Sequence, residues 1–149
     1  MRWLCALFGL VGAAAFALSV QAGTWWTVPD VLEIGPRTQC FKASECIPTG
    51  MSWVRGSAQW ERLGIATWAA GLVGALVLVL LGATVAAGRV PKLIAKMALV
   101  AMATALVAST GFVAKFPGVA GAQLDRGAML YIAAMVLGAT AAIATLRRA

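Results

Sequence analysis

The chain has 149 residues, of which 62% are hydrophobic and 11% charged, with a formal net charge of +7 and no histidine. An average soluble domain is about 25% charged, and a soluble chain of this size has too little interior to hide so much apolar surface. The composition excludes a soluble domain and predicts an integral membrane protein, while the lack of histidine weighs against haem, zinc or His-based catalytic sites.

Four stretches carry no Asp, Glu, Lys or Arg: 3–29, 63–88, 97–114 and 127–146. A spanning helix takes about 20 apolar residues, whereas a barrel strand takes about 10 in alternation. These stretches are continuous. The expected fold is an all-α membrane protein, a bundle of four transmembrane helices near 3–22, 63–87, 93–114 and 126–147, forming one domain over 1–149. The first run starts Met1-Arg2 and ends Val20-Gln21-Ala22, which matches a small-x-small signal-peptidase site. That run is long for a signal peptide, so a retained helix is expected. Small residues recur four apart on each helix: Gly9, Ala13 and Ala17; Thr67, Gly71 and Ala75; Ala101, Ala105 and Ser109; Ala134, Gly138 and Ala142. This spacing lets helix backbones approach closely in lipid, and a compact bundle is the simplest reading of it.

Residues 23–62 form the one sizeable outer loop. It contains strand-like runs at 24–28 and 31–34 among the turn formers Pro29, Gly35-Pro36, Pro48, Gly50 and Gly56. A few short strands are expected, and so small a sheet needs a staple. Cys40 and Cys46 supply one on an outer face, where disulfides persist. Closing so short a loop is worth roughly 2 kcal/mol. The rival reading is a redox pair, but the spacing is Cys-x5-Cys rather than Cys-x-x-Cys. Cys5, in the first span, is expected to be a buried free thiol.

Charge sets the expected orientation. Arg2, Arg89, Lys92, Lys96, Arg147 and Arg148 lie at one set of span ends with no acid among them. Asp30, Glu33, Glu45, Glu61 and Asp125 all lie at the other, together with Arg37, Lys42, Arg55, Arg62, Lys115 and Arg126. The positive-inside rule puts the first set, and both termini, in the cytoplasm. No separate basic domain remains for nucleic acid. Trp25, Trp26, Trp53, Trp60 and Trp68 fall near the outer interface and Trp3 near the inner one, where Trp anchors to headgroups; anchoring is the main reading for Trp60 and Trp68, and a weaker one for Trp25 and Trp26, which open a folded loop.

No span interior carries an ionisable residue, which argues against a pump or proton-coupled transporter. No nucleotide loop or nucleophile elbow occurs. The expectation is a non-enzymatic protein with no cofactor and no metal. Asp30, Glu33 and Glu45 read as solvated charge or an outer ion-binding patch.

Several of these features together resemble the claudin and peripheral myelin protein superfamily. Trp25 or Trp26 matches its first-loop Trp. Gly35-Pro36-Arg37-Thr38-Gln39-Cys40 keeps the family's Gly-to-Cys spacing, with Cys46 as the second Cys. Gln59-Trp60-Glu61-Arg62-Leu63 matches the entry to helix two, with Arg62 as the basic residue. Asp125-Arg126-Gly127-Ala128-Met129-Leu130-Tyr131 looks like the family's segment opening helix four, with Gly127, Leu130 and Tyr131 as the matched positions. Pro36-Arg37 stands where the family has Leu-Trp, and the loop and the Cys spacing are shorter. The resemblance implies a left-handed four-helix bundle. It also implies an extracellular antiparallel sheet built from the first loop with a contribution from the second. By position, Asp30, Glu33, Arg37, Lys42 and Glu45 are its candidates for tuning ion selectivity.

The implied function is lateral or cell-to-cell self-association as a membrane organiser, barrier or pore, in a plasma membrane or a bacterial inner membrane. The expected partners are the lipid bilayer and either further copies of the chain or another membrane protein. The alternative is an accessory subunit of a larger transporter or respiratory complex. Thiol–disulfide exchange with quinone is a third reading, and it needs a reactive Cys40–Cys46 pair.

Overall fold

The computed structural model describes residues 2–41, 46–48, 54 and 56–148. Helix α1 spans Arg2–Gln21, α2 Ala58–Ala86, α3 Lys92–Ala114 and α4 Arg126–Leu146. Strands β1 (Trp26–Val28), β2 (Leu32–Ile34), β3 (Thr38–Phe41) and β4 (Cys46–Pro48) lie between α1 and α2, and β5 (Gln123–Leu124) lies between α3 and α4. Lys42, Glu45 and Trp53 lie outside the described residues.

All four helices are long and apolar enough to cross a membrane, at 20, 29, 23 and 21 residues. Three fall close to their expected bounds. The second begins at Ala58 rather than 63, because hydropathy misses its polar first turn. Ser57 caps it, the side chain accepting the Trp60 N–H at 3.2 Å. Glu61 follows in the first turn, where the helix dipole favours an acid. At 1.5 Å per residue α2 is roughly 43 Å long, well beyond the roughly 30 Å of a bilayer's hydrocarbon.

The helices form a square. α1 and α3 each pack on α2 and α4 and stand diagonally across from one another. The small residues face inward: Gly9, Ala13, Thr67, Gly71, Ala105, Ser109, Ala134, Gly138 and Ala142 are all buried. Large aliphatics face outward, among them Leu7, Leu18, Ile65, Leu76, Val100, Val107 and Val136. A water-soluble bundle has the opposite arrangement. Cys5 is a buried free thiol, as expected.

The five strands make one antiparallel sheet in the order β4-β3-β2-β1-β5. The β1–β2 turn closes with the Val31 N–H donating to the Val28 carbonyl at 3.0 Å. Pro29 precedes Asp30 there, and Asp30 sits at φ 62°, the pattern of a type II turn. In the β2–β3 hairpin the Gly35 N–H donates to the Thr38 carbonyl at 2.8 Å, which leaves Pro36 and Arg37 at the tip. β5 brings the second connection into the sheet, so the end of α1, the start of α2, the end of α3 and the start of α4 share one end of the bundle.

The β1–β5 ladder runs on into α4. The Asp125 N–H donates to the Trp25 carbonyl at 2.9 Å and the Gly127 N–H to the Thr24 carbonyl at 2.8 Å. The Ser19 hydroxyl, on the last turn of α1, donates to the Gly127 carbonyl at 2.6 Å. This junction leaves no room for a side chain. A Cβ on Gly127 would stand 2.5 Å from the Thr24 carbonyl oxygen and 2.8 Å from the Gly23 carbonyl carbon. Gly127→Ala is therefore expected to destabilise by about 1–3 kcal/mol, the range for overpacking. Thermal unfolding in mild detergent reads this, and an unchanged midpoint would contradict the tight junction.

Candidate functional site

The sheet has two dissimilar faces. Strand alternation puts Trp26, Leu32, Ile34 and Gln39 on the inner one, and all four are buried. The outer face carries the cross-strand row Gln123, Thr27, Glu33, Cys40 and Cys46, given by the registers of the four strand pairs. None of these five is fully buried.

The inner face rests on a cluster of rings. Trp26 stacks on Phe116 with centroids 4.2 Å apart and meets Phe112 edge-on at 5.1 Å. Trp60 stacks on Phe112 at 5.4 Å. Trp25 lies 5.6 Å from Phe112 and 5.1 Å from Tyr131, and Tyr131 meets Phe16 edge-on at 4.8 Å. The Tyr131 hydroxyl donates to the Thr67 carbonyl at 2.9 Å, pinning α4 to α2. The hairpin tip also seats on α2. Pro36 is fully buried, its carbonyl oxygen lying against Gly64. The Arg37 guanidinium sits 4.5 Å from the centroid of the Trp68 ring.

These contacts correct the expected role of three tryptophans. Trp25, Trp26 and Trp60 are 1%, 5% and 0% exposed, so they are packing residues inside the protein and not headgroup anchors. The first loop folds back over the helix ends and covers them. Trp68 remains half-buried under Arg37. Phe112, near the end of α3, and Phe116, just past it, complete the cluster, and their four-residue spacing is the one sign of this in the sequence.

The disulfide joins Cys40 to Cys46, which are directly opposed on β3 and β4. Of the charged candidates, Glu33 is on the outer face, its carboxylate accepting from the Thr24 hydroxyl at 3.4 Å. Arg37 is engaged with Trp68, and Asp30 holds the β1–β2 turn. The structure therefore does not gather these three into one patch. Of the motif positions, Gly127 and Tyr131 lie at the α1–α4 and α2–α4 contacts, Gly35 begins the hairpin turn, Leu130 packs against the core, and Arg62 is exposed on the first turns of α2.

Four buried side chains keep polar atoms without a hydrogen-bond partner among the described residues: Trp25, Trp60, Thr67 and Gln39, the last through both amide atoms. An unpaired buried polar group costs about 1–3 kcal/mol. The chain matches no family model and no curated protein.

Two outcomes follow from this geometry. Gln39→Met keeps the length of the side chain and removes the unpaired amide, so it is expected to raise stability by about 1–3 kcal/mol, read from the unfolding midpoint. A double-mutant cycle across Arg37→Ala and Trp68→Leu is expected to give a coupling of about 0.5–1 kcal/mol, the value for an exposed cation–π pair. A coupling of zero would remove Arg37 from the docking of the tip.

Proposed function

We propose that the chain is an integral membrane protein of claudin-like plan that crosses the bilayer four times. It acts without catalysis, through side-by-side or cell-to-cell association of its outer sheet, as a membrane organiser, barrier or pore. The observation that carries this reading is the five-stranded sheet itself. Strands from both connections meet at one end of the helices, and a disulfide holds the far edge. A sheet of this size with a tied edge and an outer row that is not fully buried suits a display surface.

The inverted bundle supports insertion. Large aliphatics point outward and small residues inward, which suits lipid as the solvent. The acids at the sheet end and the purely basic far end support an orientation with both termini cytoplasmic, in a plasma membrane or a bacterial inner membrane. The disulfide agrees with an outer sheet, because disulfides persist on that side. Residues of α1 such as Phe16 and Val20 belong to the core, which favours a retained first helix over a cleaved one.

The test is native mass spectrometry of the protein purified in mild detergent, with and without reductant. A homo-oligomer whose Cys40→Ser, Cys46→Ser variant keeps its helices but loses association is the expected result. A monomer at all concentrations would overturn self-association. Stoichiometric recovery of a different membrane chain would instead support an accessory subunit of a larger complex.

A further inference from the structure

The end of the bundle opposite the sheet is made by the starts of α1 and α3 and the ends of α2 and α4. Arg2, Arg89 and Arg148 line one cavity there of about 60 Å³, walled also by Val85, Gly88 and Thr145. About 10–15 Å³ suffices for one water, so this space admits a small oxyanion. The turn after α2 fixes the backbone of one of the three, Arg89. Gly88 lies at φ 82°, its N–H donates to the Val85 carbonyl at 3.0 Å, and the Arg89 N–H donates to the Thr84 carbonyl at 3.1 Å. This is a Schellman closure. Arg2 reaches over it, with a guanidinium nitrogen 3.3 Å from where a Cβ on Gly88 would stand.

Among the described residues no carboxylate offsets the positive charge there. The two helix C-termini there, of α2 and α4, each present about half a negative charge, and the N-termini of α1 and α3 offset them with about half a positive charge each, so the three guanidiniums stand over and above the helix dipoles. Among the described residues the acids are Asp30, Glu33, Glu61 and Asp125, and all belong to the sheet end. Arg148 also lines a second space, a groove of about 580 Å³ between α1 and α4 lined by Leu4, Phe8, Ile143 and Ala144. A basic pocket and an apolar groove thus share one arginine wall.

We infer that this end binds an anionic phospholipid, with the phosphate held among Arg2, Arg89 and Arg148 and an acyl chain laid in the α1–α4 groove. Guanidinium forks match phosphate oxygens in geometry and charge. Free phosphate shares that head chemistry but leaves the groove unused, so the lipid is the occupant. The inference rests on the membrane reading above.

The test mixes the detergent-purified protein with phosphatidylglycerol, phosphatidylcholine or inorganic phosphate and reads retained adducts by native mass spectrometry. Phosphatidylglycerol is expected to be retained over phosphatidylcholine. Arg→Gln at position 2, 89 or 148 is expected to lower its occupancy roughly five-fold each, and Lys115→Gln, at the sheet end, to leave it unchanged. Equal retention of the two lipids, indifference to all three substitutions, or displacement by equimolar phosphate would overturn the site. If the variants do not accumulate, phenylglyoxal modification of the wild-type protein decides. Phosphatidylglycerol should shield Arg2, Arg89 and Arg148 but not Arg126, and no shielding overturns the site. Alkaline carbonate extraction separates the two levels. A chain released by carbonate defeats both the membrane reading and the lipid site, whereas one that stays in the membrane without headgroup preference defeats the lipid site alone.

Discussion

One cluster of aromatic rings joins every part of the sheet end. Phe16 comes from α1, Trp25 and Trp26 from the chain entering the sheet, Trp60 from α2, Phe112 from α3 and Tyr131 from α4. Rings of this kind bury roughly 150–250 Å² each. At about 25 cal/mol per Å² they dominate the energetics of a sheet whose longest strand has four residues. A sheet this small has no core of its own. It exists because the helix ends offer one.

Below the rings the means of cohesion changes. The helices meet through small residues interleaved with a few large ones such as Leu78, Leu81 and Met102, and the contacts are matters of shape. Gly82 on α2 lies against Gly9 on α1, and Gly138 on α4 against Met102 of α3 and Leu78 of α2. Ionisable groups have been moved entirely to the two ends. The two ends therefore differ in kind: acids and bases mix around a tied sheet at one, and arginines and lysines stand without acids at the other.

The sequence was most informative where a property is summed over many residues. Helix length and apolarity are such properties, and so is the split of charge between the two ends; the runs at 24–28 and 31–34 became β1 and β2 for a similar reason. What could not be read was local or depended on a distant partner. The polar first turn of α2 hides from a hydropathy window, though Ser57 marks its cap. β5 is two residues long and has no pattern of its own; only its partner, Trp26-Thr27, makes it a strand. The tryptophans have the composition of interface anchors, and only the return of the loop over the helix ends reveals them as buried. The amide of Gln39, unpaired beneath the sheet, has no signature in one dimension.

The pairing of β1 with β5 also governs how the chain can be completed as it is made. β1 through β4 form consecutive hairpins, which close early and locally. The other edge of β1 waits for Gln123 and Leu124, which emerge only after α2 and α3 have been laid down. Until then the protein carries an unpaired strand edge, the feature most apt to recruit a strand from another chain. Loop closures over such separations are slow. The last hairpin of helices thus serves as the cover for the first strand, and a chain whose synthesis stops between the two is left with that edge open.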